Sequence, residues 1–294
     1  MPTSTLATQL HEIVHGWMYN PVMVRKAANP TVSAVLAVLS VLVSLAGAGA
    51  ARAEAPWVYR SIVLPRGAIA VDLGLGLGHE PAGPPDNGSI TGLGMNLALS
   101  GGITHELEIG LRTGFRLDDA GQITRADGYG RPFETETYGT DVDRIANPEL
   151  HLRWAVARGA AAELGLELRA YLPIENGSSF GLMFGLPIVL RAGAIRVDTG
   201  LYVPVIFSDP TETVVSVPIH LWIQATRTLW LGPLFGLRVV SRNGSHDEYP
   251  LGFGLGSSLT HTIDLRTWIL FPDINQNEAA RTFGAGIALQ IRFE

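Results

Sequence analysis

The chain contains no cysteine. That excludes a disulfide framework, a thiolate metal site and a lipid anchor on a cysteine thiol. Lysine is nearly missing too: Lys26 is the only one, and the other cationic side chains are arginines. No basic block occurs and the net charge is −6, so the sequence offers nothing to the phosphates of a nucleic acid. Beyond residue 56 there is no apolar run long enough for a membrane helix. Such a chain can cross a membrane only with strands. What is plentiful is glycine, 34 of 294 residues, in a composition that is 47% hydrophobic and 16% charged. The length suits one large domain or two small ones.

Residues 23–53 read as a signal peptide. Arg25 and Lys26 form a positive start, an apolar stretch runs from Val32 to Leu45, and small residues follow from Ala46 to Ala53. Ala51-Arg52-Ala53 fits the small-x-small cleavage rule and makes Glu54 the new N-terminus. A cut after Ala55 would leave Pro56 just beyond the scissile bond, which hinders cleavage. The competing reading is a retained helical anchor. Met23 is a candidate true start, which makes 1–22 a mis-assigned extension and 54–294 the mature domain. His11-Glu12-Ile13-Val14-His15 matches the zinc motif H-E-x-x-H, but it lies upstream of the signal and has no third ligand, so it reads as chance.

From there the pattern has a period of two. In Glu106-Leu107-Glu108-Ile109-Gly110-Leu111-Arg112 the odd positions are apolar, and Glu163 to Arg169 repeats the pattern with opposite parity. Successive side chains of a strand face opposite sides. Because the apolar face recurs in nearly every segment, and the segments are about ten residues long, the pattern favours a membrane barrel over a soluble sandwich. Strands are expected at roughly 66–78, 90–101, 106–117, 146–157, 162–174, 181–191, 195–207, 214–225, 228–240, 250–259, 262–272 and 281–293. Short linkers (102–105, 158–161, 192–194, 226–227, 260–261) alternate with longer ones (79–89, 118–145, 175–180, 208–213, 241–249, 273–280). Short periplasmic turns and long outer loops are the signature of an all-β, transmembrane, antiparallel up-and-down β-barrel, here of about twelve strands. An even count puts both termini on the periplasmic side and closes the first strand on the last. The three Asn-Gly-Ser tripeptides, at Asn87, Asn176 and Asn243, fall in the longer loops and read as turns.

Charges on the lipid face are costly, so the polar face should line the lumen. The inward bases are Arg112, Arg116, Arg153, Arg169, Arg191, Arg196, Arg238, Arg266 and Arg292. The inward acids are Asp72, Glu106, Glu108, Glu149, Glu163, Glu167, Asp198 and Asp264. Near-balance of sign suggests an internal salt-bridge lattice, with a ladder of solute contacts as the other reading. Arg112, Arg153, Arg169 and Arg266 share strand faces with Glu108, Glu149, Glu167 and Asp264. Inward rings are Tyr171, Tyr202, Trp222, Trp230 and Trp268, with His220 among them; they either fill the barrel or hold an apolar or ring-shaped solute. Glycines at 74, 76, 94, 110, 114, 252, 254, 256, 284 and 286 also face inward, mostly on the strands that close the barrel. The aspartates of the loop 118–145 fit no EF-hand spacing, so that loop reads as solvated or lumen-plugging and no metal is expected. No cofactor is expected either.

The last strand, 282–293, carries Phe283, Ile287, Leu289, Ile291 and Phe293 on one face and resembles the C-terminal assembly signal of outer-membrane barrels, although Glu294 follows the final aromatic. Gly102-Ile103-Thr104-His105-Glu106-Leu107-Glu108 resembles a turn common in such barrels. Asn147 to Arg153, with Ala162-Glu163-Leu164 to Leu172-Pro173, resembles the paired strands of proteins linked to meta-pathway phenol degradation. Across about seventy residues, that resemblance implies a transporter-like barrel for hydrophobic or aromatic compounds and no catalytic motif. The implied partners are outer-membrane lipids, the barrel assembly machinery and a small solute. Three functions remain in contention: a channel or uptake barrel, a structural or ligand-binding barrel with a plugged lumen, and a lipid hydrolase. The last would need Ser257 or Ser258 near His261 at the rim, with no evident acidic orienter.

Overall fold

The computed structural model of the chain describes residues 56–81, 89–116, 122–125, 134–137, 145–174, 178–241, 245–275 and 282–293. All belong to the unit Ala51–Glu294. The signal peptide, the extension 1–22, the H-E-x-x-H motif, the three Asn-Gly-Ser asparagines and most of the loop 118–145 lie outside the described residues.

Alternating Leu, Ile and Val against small or polar partners gives strands, because such side chains pack well on a pleated surface. They are β1 (Ile69–Pro81), β2 (Ser89–Gly102), β3 (Leu107–Arg116), β4 (Gln122–Arg125), β5 (Glu134–Thr137), β6 (Glu149–Arg158), β7 (Ala162–Tyr171), β8 (Gly181–Ala192), β9 (Ile195–Ile206), β10 (Glu212–Gln224), β11 (Leu229–Ser241), β12 (Ser245–Glu248), β13 (Leu251–Ser258), β14 (Ile263–Phe271) and β15 (Phe283–Phe293). β4 and β5 form a separate hairpin, and β12 folds back antiparallel on the end of β11; these short pieces were not visible in the sequence. The remaining twelve strands form one closed antiparallel barrel. Closure is made by β1, which pairs with both β2 and β15: Leu73 stands opposite Leu97 on one side and Leu289 on the other.

The outer wall is apolar. Leu75, Leu99, Ile109, Leu111, Trp154, Leu166, Leu168, Phe184 and Phe253 are all exposed large hydrophobic side chains on barrel strands. A monomer in water does not tolerate apolar surface on that scale, whereas a lipid bilayer requires it. The chain is an outer-membrane barrel. The connections 103–106, 159–161, 193–194, 225–228 and 259–262 gather at one end, the periplasmic end in barrels of this kind.

One boundary differs from expectation in a way that matters for the lumen. Strand β1 starts at Ile69 rather than 66, because Pro65 to Ala68 form a tight turn. The Ala68 N–H donates to the Pro65 carbonyl at 3.0 Å, and Gly67 takes φ +82°, the geometry of a type II turn. Gly102 lies against it, since a Cβ there would sit 2.0 Å from the Pro65 oxygen. The turn sends the preceding residues back into the barrel.

Candidate functional site

Period-two alternation places one side chain in two of each strand inside the barrel, and the two halves of that interior differ. Strands β3, β6, β7, β8 and β9 form a charged wall. Arg169 donates to Glu149 and to Glu167, both at 2.9 Å, with all three side chains at most 2% exposed. Arg153 donates through Nε and Nη2 to Glu167 at 3.0 and 2.9 Å and stands opposite Glu108. Glu108 also meets His151 Nε2 at 3.1 Å. Arg191 reaches Glu163 at 3.2 Å, Arg196 reaches Asp198 at 2.8 Å, and Arg112 stands opposite Glu149 in the register. Groups of this kind are stable in a dry interior only when paired. Tyr171, Met183 and Tyr202 pack together beyond Arg169, toward the long-loop end.

Across the barrel, β10, β11, β13, β14 and β15 carry an aromatic cluster beside a few buried polar groups, Asp264, Arg266 and Arg292 among them. Trp222, Trp230, Leu234 and Leu270 are buried in one cluster, with Trp268 packed against it. The inward glycines give these rings room. A Cβ at Gly256 would meet the Trp230 indole at 2.2 Å, one at Gly254 the Trp222 ring at 2.6 Å, and one at Gly286 the Trp268 ring at 2.5 Å. Part of the glycine stripe is therefore covered by aromatic rings rather than left as a bare wall.

Residues 56–65 occupy the lumen between these walls. Trp57 to Tyr59 make one 3-10 turn whose Trp57 is 2% exposed. The Trp57 ring stacks on Trp230 at 4.8 Å and 5°, meets Trp222 edge-on at 5.5 Å, and lies 4.8 Å beneath the Arg196 guanidinium. The opposite edge of the segment is held by the charged wall through main-chain groups. Arg191 Nε donates to the Val58 carbonyl at 2.9 Å; Arg191 Nη2 and Arg196 Nη1 donate to the Arg60 carbonyl at 2.6 and 2.5 Å; Arg153 Nη1 donates to the Ile62 carbonyl at 3.0 Å. In the other sense, the Ile62 N–H donates to Glu163 and the Leu64 N–H to Glu108, both at 2.9 Å. The Arg60 side chain crosses to β14, where it pairs with Asp264. An irregular backbone inside a barrel needs such partners, because its N–H and C=O groups are out of reach of a neighbouring strand.

A cavity of about 240 Å³ lies between the segment and the wall. Its lining includes Trp57, Arg60 and Ile62 to Pro65 from the segment, and Asp72, Ser100, Glu108, Arg153, Arg196, Gln290 and Arg292 from the strands.

The expected lumen residues fall as follows. Arg112, Arg153, Arg169, Arg191, Arg196, Arg266, Arg292, Glu108, Glu149, Glu163, Glu167, Asp198, Asp264, Tyr171, Tyr202, Trp222 and Trp230 are buried, and Trp268 is half-buried. Arg238 pairs with Glu248 at 2.7 Å where β11 meets β12. The Arg116 side chain lies outside the described residues. Glu106 is a correction: it is exposed in the turn before β3, where Thr104 Oγ1 accepts its N–H and donates to its carboxylate. That local side-chain turn ends the alternation one residue early. Arg266 pairs with Asp72 rather than with its strand neighbour Asp264, which is taken up by Arg60 and lies 3.8 Å from Arg292. The residues missed altogether are those of the segment, Trp57 above all.

Neither a protein-family model nor a curated protein matches the chain. Among solved structures it is similar to an outer-membrane channel from Pseudomonas putida F1, with a TM-score of 0.56 at 11% identity over 82% of this chain and 100% of that one. It also aligns with the NanC porin (TM-score 0.49, 8% identity, 76% and 99% of the two chains). The translocator domain of the autotransporter NalP from Neisseria meningitidis aligns over 79% of this chain and 89% of its own, with a TM-score of 0.44 at 9% identity. The first of these likenesses shows the shared barrel fold; function lives in the site a fold carries.

Proposed function

We propose that this barrel is an uptake channel for small solutes with an apolar or aromatic body, narrowed at its periplasmic end by its own residues 56–65. The observation that carries the reading is the two-walled lumen: a tryptophan-rich face opposite a face of arginine–carboxylate pairs, with a cavity of small-solute size between them. The resemblance to barrels linked to meta-pathway phenol degradation points to the same solute class. Solute flux into liposomes carrying the purified barrel tests it. Phenol-sized solutes should enter faster than sugars of similar size, and deletion of residues 57–64 should raise flux and reduce the discrimination. Absence of flux for every solute, with and without the deletion, would reject the channel.

A structural or ligand-binding barrel with a closed lumen is the second reading, favoured by the same occupied lumen. Single-channel conductance separates the two. For the hydrolase reading, Ser258 donates to Asp264 at 2.7 Å rather than to a histidine, and His261 is exposed in the turn. We assign the chain no catalytic role. We also propose that residues 23–53 are removed on export. N-terminal sequencing of the membrane-extracted protein should begin near Glu54, and recovery of His11 in that fraction would overturn this.

A further inference from the structure

We propose that the cavity beside residues 56–65 is a binding site for a small organic anion with an apolar body, an aromatic monocarboxylate being the simplest member of the class. The inference rests on the channel reading and specifies its solute. Its first support is charge. Arg60, Arg153, Arg196 and Arg292 line the cavity, against Asp72 and Glu108. The carboxylates that pair with these arginines, Glu167, Asp198 and Asp264, are not part of the lining. The cavity therefore meets the cationic side of these three pairs, while Glu108, 3.7 Å from Arg153, and Asp72, paired with Arg266 outside the lining, contribute its two acids, leaving four guanidinium groups to two carboxylates.

Donor capacity is the second support. A guanidinium has five N–H donors. Arg196 places three of its nitrogens on Asp198 and the Arg60 carbonyl, and Arg153 places three on Glu167 and the Ile62 carbonyl. Arg196 keeps N–H groups that a carboxylate could accept from, Arg153 keeps its own beside Glu108 at 3.7 Å, and planar donors suit that geometry. The third support is the apolar part of the lining that the segment supplies, Trp57, Ile62, Val63 and Leu64, beside the neutral polar Ser61, Ser100 and Gln290. A volume of about 240 Å³ lies just below the range of roughly 300–1,000 Å³ typical of drug-sized ligands, so it suits a single ring with one charged substituent. Because the segment supplies part of the lining, such a ligand would bind the barrel with its segment docked and stabilise that state by mass action.

The test uses the full barrel in detergent, titrated calorimetrically with benzoate, benzyl alcohol and benzylammonium. Benzoate should bind, and the neutral alcohol and the cation should bind at least roughly tenfold more weakly, as expected when a charge-assisted hydrogen bond is lost. Arg292→Gln, on β15, and Arg196→Gln, over the Trp57 ring, should each weaken benzoate by a similar factor while the folded gel mobility is kept. Equal affinity for benzoate and benzyl alcohol, or benzoate binding indifferent to both substitutions, would overturn the inference. Flux measured in parallel separates the two ideas. Flux without anion preference leaves the channel and removes the site, whereas benzoate binding without flux of any solute leaves the site and removes the channel.

Discussion

Replacing Trp57 with alanine is the sharpest perturbation of the occupied lumen. The indole is 2% exposed and is sandwiched by Trp230, Trp222 and the Arg196 guanidinium. A buried tryptophan removes about 150–250 Å² from water, which at about 25 cal/mol per Å² amounts to roughly 4–6 kcal/mol. Water in the lumen can fill part of the vacated space, so the low end measured for large-to-small aromatic substitutions, about 3 kcal/mol, is the working figure. The main-chain hydrogen bonds from Arg153, Arg191 and Arg196 survive the change, so the loss falls on docking of the segment and not on the barrel wall. At 1.4 kcal/mol per factor of ten, about 3 kcal/mol raises the undocked fraction roughly a hundredfold. Single-channel recording in planar bilayers reads this directly: Trp57→Ala should occupy a wider conducting level far more often than the wild type, and Trp57→Phe should fall between them. If Trp57→Ala leaves the occupancy of that level within about twofold of the wild type, a shift worth well under 1 kcal/mol, the indole does not hold the segment.

Other substitutions probe the walls. Arg169→Met should lower stability by about 3–5 kcal/mol, because Glu149 and Glu167 lose a buried cation, and adding Glu149→Gln should restore part of that loss. Urea unfolding followed by heat-modified gel mobility measures both, and an unaltered single variant would show that the lattice is not there. Gly232→Ala places a Cβ 1.6 Å from the Leu221 carbonyl, so β10 and β11 must separate locally. It should therefore destabilise more than Gly256→Ala, whose Cβ meets only the Trp230 ring; equal losses would contradict this ranking. Cysteines at Leu73 and Leu289 face each other across the closing seam and should form a disulfide on oxidation, while Leu73 paired with Leu265 on the next strand should not.

The barrel and the inward charges were legible because both are local. Alternation in Glu163 to Arg169 shows which side chains share a face, and the rhythm of short and long linkers shows how strands follow one another. Pairings are less local. Arg266 finds Asp72 across the closing seam, and its strand neighbour Asp264 goes to Arg60, so a shared strand face leaves open which partner each charge takes. Glu106 misled because a threonine two residues earlier captures it in a turn. The segment 56–65 was illegible for a different reason. Besides the side chains of Trp57, Tyr59, Arg60 and Ser61, the bonds that hold it run from its backbone to side chains far along the chain, and main-chain contacts leave no trace in residue type. The turn residues Pro65 and Gly67 were the only sequence signal that the chain reverses before β1.

That backbone docking gives residues 58–64 the character of a ruler rather than a message. The wall touches the carbonyls of Val58, Arg60 and Ile62 and the amides of Ile62 and Leu64, marks spaced every second residue. Exchanging one side chain for another leaves every mark in place, so Ile62 and Val63 are free to drift as long as their bulk fits, while Ser61 adds a side-chain bond to Glu163. Removing a single residue is a different kind of change. It shifts the phase of all marks on one side of the deletion, turns carbonyls toward carboxylates and amides toward guanidinium groups, and sets the wall against the chain it was built to hold.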